Sequence, residues 1–263
     1  MLILPYSGDS FNIPEITFKD IFKLARAYDV DDDEQVINYL CKLYNIEHLN
    51  CIDKFFVICK VCELHITHTL HMSGEGGTSV DLDLNTILNN LNDVVSQFKK
   101  CNVNGVEINM DIPKCFFTPN DKDLFTAVID SIIVEDVKID FQKLTKEDKL
   151  DVMSSLPAAV FNTIKKYLTE LDLTVTLFEG HVNRGISKID INFLGFDPLY
   201  LIRSLYSEFP LITCREVIYY LSRKINSETL LNSTPVDIKY YLEEHGRENK
   251  ENSNNGGSLG TIG

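Results

Sequence analysis

No apolar run in this 263-residue chain approaches the roughly 20 residues that a membrane-spanning helix needs. The opening Met1-Leu-Ile-Leu-Pro-Tyr-Ser is apolar for only four residues and carries no basic flank, so it does not read as a secretory signal. Positive charge is scarce: 25 Lys and Arg face 39 Asp and Glu, a net charge of −14. A general nucleic-acid binder needs a basic stripe to neutralise phosphate, and a protein docked on anionic lipid needs one too. Neither a nucleic-acid nor a membrane partner is expected. Signatures of catalysis are missing as well. Gly74-Glu-Gly-Gly-Thr is too short for a P-loop, and no Gly-Lys-Ser/Thr follows it. No Gly-x-Gly-x-x-Gly opens a helix after a strand, and there is no Gly-x-Ser-x-Gly elbow. The acidic block Asp29–Glu34 lacks the central glycine of an EF-hand loop, so it reads as a solvated helix start. No catalytic residue, no cofactor and no enzymatic activity are expected.

What is present is ordinary for a folded protein: 44% hydrophobic, 10% aromatic and 24% charged. The length allows one large domain or two small ones and a sizeable core. Seven widely spread cysteines form no small-scaffold framework and read as reduced thiols of a cytosolic chain.

Periodicity predicts an α+β fold that is helix-dominated, with two small antiparallel β-hairpin regions and a helical C-terminal layer. Residues 1–16 read as an irregular N-terminal arm. Residues 17–117 read as a helical plus β-hairpin region. Thr17 and Asn50 cap helices there, residues 62–72 and 80–84 alternate as a hairpin around Gly74–Gly77, and Val106–Ile112 is a further strand. Residues 118–245 read as a mainly helical region with a second hairpin. Leu124 to Ile132 has helical spacing, Thr145, Pro157, Asp197, Thr213 and Thr234 open helices, and alternation at 173–177 and 189–193 flanks a turn over Gly180–Gly185. The Asn/Gly/Ser-rich stretch 246–263 reads as a flexible polar tail.

Two groups of side chains are candidates for function. Cys59, Cys62, His65, His68 and His71 recur every third residue, and all five are zinc-ligand types. A step of three spirals around a helix and alternates faces on a strand, so five ligands do not converge. The plainer reading is a strand with semi-buried thiols and solvated histidines at its edge. On the C-terminal helices, Tyr206, Tyr220 and Tyr241 read as partner-binding residues, since Tyr suits surfaces that are apolar at one end and wet at the other. The alternative is a helical layer packed on its own domain. The basic pairs Lys99-Lys100, Lys165-Lys166 and Arg223-Lys224 read as solvated helix ends.

Leu49-Asn-Cys-Ile-Asp-Lys-Phe-Phe56, then Val106-Glu-Ile-Asn-Met-Asp-Ile-Pro113, then Leu150-Asp-Val-Met-Ser-Ser-Leu-Pro-Ala-Ala-Val-Phe161 and Ile189-Asp-Ile-Asn-Phe-Leu-Gly-Phe196 follow one another in order. Over about residues 17–208 the chain resembles the baseplate protein family of T-even-type tailed bacteriophages, whose founding member is a baseplate hub assembly protein. Where family members carry a basic Ser/Gly stretch, this chain has Cys59–His71, and residues 209–263 extend past the family pattern. The resemblance implies a non-enzymatic hub assembly factor that binds phage baseplate hub, tail tube or tape-measure proteins in the host cytoplasm. The alternatives are a stoichiometric subunit of the virion baseplate and a zinc-stapled binding module.

Overall fold

The amide of Thr17 and its hydroxyl both reach the Asp20 carboxylate (3.1 and 2.6 Å), so the first helix opens on a capping box with Asp in place of Glu. In the computed structural model, residues 1–29, 33–73, 79–91, 101–103, 105–116, 124–170, 173–182, 185–195, 197–206 and 211–255 are described. The N-terminal segment holds two short paired strands, β1 (Leu2–Ile3) and β2 (Ser10–Phe11). Leu4 and Ile16 from this segment are buried in the main core. Helices α1 (Phe18–Asp29), α2 (Asp33–Leu43) and α3 (Cys51–His65) follow. Asn50 caps α3 by accepting from the Asp53 amide at 2.9 Å.

Helix α3 is the axis of the molecule. Twelve of its residues, from Cys51 through Glu63, are buried. A helix enclosed on all sides needs no amphipathic stripe, so its sequence carries no helical period. The strand expected from residue 62 is therefore a correction: Cys62 and Leu64 belong to α3, and the extended chain begins only at Thr69. There β3 (Thr69–Ser73) pairs with β4 (Ser79–Asp83), and α4 (Leu84–Leu91) packs back on α3.

The next unit is a meander that was only partly expected. Strands β5 (Cys101–Val103), β6 (Val106–Met110), β7 (Ile129–Val134) and β8 (Val137–Asp140) form a four-stranded antiparallel sheet in chain order. The helix expected through Ile132 stops early: α5 covers only Leu124–Ala127, and Ile129–Val134 is strand. Its β-branched run fits a pleated sheet better than a helix. The two-residue turn Glu135-Asp136 has φ of 48° and 65°, the left-handed pair that joins tightly twisted strands. Helices α6 (Lys146–Ser155, capped by Thr145) and α7 (Ala158–Glu170) cover the sheet.

The second hairpin is longer than expected: β9 (Thr174–Val182) and β10 (Gly185–Asn192). Then come α8 (Asp197–Tyr206), α9 (Leu211–Leu221), α10 (Ser227–Asn232) and α11 (Pro235–Asn255). Helix α9 begins two residues before Thr213, which is thus not its cap. Helix α11 runs ten residues into the polar stretch expected to be flexible from Gly246, and residues 256–263 lie outside the described residues.

Among the described residues, most buried apolar side chains fall into two clusters. The larger joins α1–α4 and the first hairpin to Phe193 and α8–α11. The smaller lies between the meander and the covering segment, with Ile108, Ile129, Ile132, Phe141, Val160 and Ile164 at 0% exposure. The α+β class holds, and the four-stranded sheet is added to the two expected hairpins.

Candidate functional site

Two polar side chains inside α3 fix what packs around it. Asp53 is fully buried, and its carboxylate accepts the amides of Tyr6 (2.9 Å) and Ser7 (3.2 Å) and the Asn50 side-chain amide (2.7 Å). Tyr6 also donates its hydroxyl to Asp111 at 2.6 Å, so the N-terminal segment is tied to α3 and to the loop after β6. Glu63, 7% exposed, pairs with Lys60 at 2.6 Å and lies 3.6 Å from the exposed His68 at the helix exit.

Of the five zinc-ligand types, the four with described side chains do not assemble. Cys59 and Cys62 are buried in α3, and the Cys62 thiol points to the Leu205 carbonyl of α8 at 3.8 Å. Burial, with Cys62 nearby, pushes the Cys59 thiol well above its ordinary range, away from the thiolate a metal requires. His65 is half-buried, and burial lowers its pKa while Glu15 opposes the shift. His68 is exposed. His71 stands opposite Asp81 in the β3–β4 register, and its side chain lies outside the described residues. Among the described residues no group of three or more His, Cys, Asp or Glu is placed to hold a metal.

Two of the expected tyrosines, Tyr220 and Tyr241, each adjoin a second tyrosine that points the other way. Tyr220 and Tyr241 pack against the larger core, and Tyr220 stacks on His245 of α11 with ring centroids 4.4 Å apart. Tyr206 ends α8, and its side chain lies outside the described residues. Their neighbours Tyr219 and Tyr240 face outward instead, 69% and 58% exposed, as does Tyr200 earlier on α8 at 55%. The Arg223 guanidinium covers the Tyr219 ring at 5.3 Å. Sequence alone shows Tyr219-Tyr220 and Tyr240-Tyr241 as pairs, and only the helix rotation of 100° per residue decides which member points out.

A cleft of about 650 Å³ lies where the two cores meet. Among the described residues, Lys54 of α3, Lys114 of the loop after β6, and Lys146 and Lys149 of α6 line it, with Glu47 as the carboxylate. Ile37, Phe116, Leu150 and Leu199 supply apolar wall. Lys54 is 6% exposed and donates to the Lys114 carbonyl. Burial lowers its pKa, with the Cys41, Cys115 and Cys51 thiols and Lys114 as its electrostatic neighbours, and no carboxylate among them. Lys149 lies 5.6 Å from the Phe141 ring centre. Sequence reading missed these four lysines because they are spread over nearly a hundred residues, not paired. The available signal was Lys146 and Lys149, three apart on one helix face.

These surfaces sit on a protein of the α+β class. Residues 4–179 match the family model described as T4 bacteriophage base plate protein, and the chain belongs to that family. The match starts earlier than the resemblance at residue 17 and ends inside β9. No curated protein and no solved structure matches the chain. No helix among the described residues is long and apolar enough to cross a membrane.

Proposed function

We propose that this baseplate-family protein is a non-enzymatic assembly factor for the tail hub, acting in the host cytoplasm and binding hub, tail tube or tape-measure proteins through its C-terminal helices. The observation that carries this reading is the exposure of Tyr200, Tyr219 and Tyr240 on α8, α9 and α11, all of which follow the family-matched segment. Tyr presents a broad, stiff contact area with a polar end, and such side chains are enriched where proteins meet. The helices that carry them are anchored from beneath, since Cys214, Leu221, Leu230 and Ile238 are buried in the larger core. A firmly seated layer with aromatic side chains outward suits repeated docking better than a loose appendage.

The test is quantitative mass spectrometry of this chain in infected-cell lysate and in purified particles of the same culture. An assembly factor that leaves is abundant in the lysate and absent from particles. A fixed copy number per particle makes it a structural subunit of the baseplate instead. Replacing Tyr219 and Tyr240 together by Ala in the phage lowers particle yield if the surface docks a partner, while the chain stays folded.

A further inference from the structure

We propose that the basic cleft between α3 and α6 is a docking site for an acidic segment of a second phage protein, held by its Asp and Glu side chains. The proposal deepens the partner-binding role above and rests on it for the source of the segment. Three observations meet in the cleft. Among the described residues it is a concentration of positive charge on a chain of net charge −14: four lysines and one glutamate line it. One of them, Lys54, is a buried residue, 6% exposed, whose ammonium donates to the Lys114 carbonyl where a counter-charge would be expected. A buried charge without a partner is costly, and an entering carboxylate supplies the missing one. Finally, about 650 Å³ between apolar walls is the volume of a ligand pocket and accommodates a few residues of extended chain.

The geometry favours distributed carboxylates over a single phosphate group. The lysines come from three separate elements. Phosphate cradles are built instead from backbone amides at a helix start or a glycine-rich turn. Here the α6 start is already capped, because Thr145 accepts the Asp148 amide at 3.2 Å. Lys146 and Lys149 lie one turn apart on α6, so they can meet side chains along a peptide. The net negative charge of the whole chain does not forbid this. At physiological salt, charges more than about 8 Å away are largely screened, and only the cleft is felt at contact. The surrounding acidic surface then rejects acidic segments everywhere else, which confines docking to the cleft.

The experiment is fluorescence anisotropy of the purified full chain with a fluorescein-labelled acidic peptide of Asp, Glu and Leu. Its Asn/Gln counterpart and inorganic phosphate serve as competitors. The expected result is saturable binding of the acidic peptide alone, weakened as sodium chloride rises from about 50 to about 300 mM. Lys114→Glu combined with Lys149→Glu weakens it about tenfold or more, and Lys239→Glu on α11 leaves it unchanged. Circular dichroism confirms that each variant is folded; Lys114→Glu alone repeats the test without touching the Phe141 contact. The proposal is overturned if the acidic peptide does not bind or if the cleft variants bind it equally. It is also overturned if phosphate at matched charge displaces the peptide, which marks a small-anion site. Self-association in sedimentation that the cleft variants abolish assigns the cleft to a second copy and overturns it too. All these outcomes are read on the purified chain. They stand apart from the particle count that decides between assembly factor and subunit.

Discussion

The two cores of this protein are built on different terms. The larger draws on both ends of the chain, with α1–α4 meeting α8–α11 around a helix enclosed on every side. The smaller is local: a meander and the segment that follows it, residues 106–164, with nine buried members. The first must hold segments far apart in sequence, and it contains buried polar anchors, Asp53 and Glu63. The second needs few. Its strands are neighbours in the chain, and its helices follow directly. Local contacts cost little loop-closure entropy, whereas contacts between distant segments must be stabilised by deep burial. The family match ends at residue 179, yet Phe193 from beyond it packs edge-on against Phe55 of α3 with ring centroids 5.5 Å apart. The C-terminal extension therefore completes the larger core.

That comparison breaks most easily at its aromatic centres. Phe55→Ala in α3 is expected to cost about 3–5 kcal/mol, and Phe141→Ala in the smaller core a similar amount. Their reach differs. Phe55→Ala lowers hydrogen-exchange protection in α1, α3, α8 and α9 together, while Phe141→Ala lowers it chiefly in β6–β8 and α6–α7. If Phe141→Ala loosens α3 and α8 as well, the two cores are one cooperative unit and the contrast fails.

Removing a polar anchor is the next largest effect. Asp53→Ala leaves the Tyr6 and Ser7 amides and the Asn50 side chain without their acceptor, for an expected loss of about 2–4 kcal/mol in urea unfolding. Asp53→Asn keeps an oxygen in place and loses less. The β1–β2 segment should detach first, seen as faster proteolysis near Tyr6 and Ser7.

The caps show how much of this was legible. Thr17, Asn50, Thr145 and Thr234 all bind the amide or carboxylate three residues on, as their spacing predicts. A cap is a local contact, written in four consecutive residues. The alternation of β9 and β10 was legible for the same reason. The end of helix α3 from Cys62 was not, because full enclosure erases the polar face on which a period depends. Ile129–Val134 was not, because a short apolar run fits either period until its partner strands are known. The cleft was least legible of all, since its lysines meet only once the two cores are in contact. The tyrosine pairs 219–220 and 240–241 were visible in the sequence, and which member of each faces out, one residue from the other, was not.

That one-residue difference gives a smaller and sharper test. Tyr220→Ala and Tyr241→Ala remove side chains packed on the larger core, and each should cost about 1–3 kcal/mol. Tyr219→Ala and Tyr240→Ala remove outward rings and should stay within about 0.5 kcal/mol of the parent. Thermal unfolding of the four variants separates the pairs. Equal losses in all four would mean that the exposed rings also support the fold and would weaken the docking role.

The smallest expected effect is a pH dependence set by burial at the end of α3. His65 ends α3 half-buried, and burial holds its pKa below the ordinary histidine value, with Glu15 acting in the other direction. As pH falls below about 6.5, the unfolded chain takes up this proton first. Between that point and the lower folded pKa, the unfolded state binds more protons, so stability falls as pH falls. His65→Gln removes this slope. Comparing urea midpoints near pH 7.5 and pH 5.5, the variant should lose less stability than the parent, and the difference isolates one imidazole from the other acid-titrating groups. Beside the smaller core, Lys143 lowers the pKa of the Asp140 carboxyl by a direct hydrogen bond, but Lys143 is exposed and Asp140 only half-buried. Salt screens such a pair, so its acid dependence should fade as ionic strength rises, whereas the slope due to His65 should persist because its main cause is burial and not a mobile charge. A His65 slope that vanished with salt would transfer the cause from burial to Glu15 and leave the enclosure of α3 without its titratable marker.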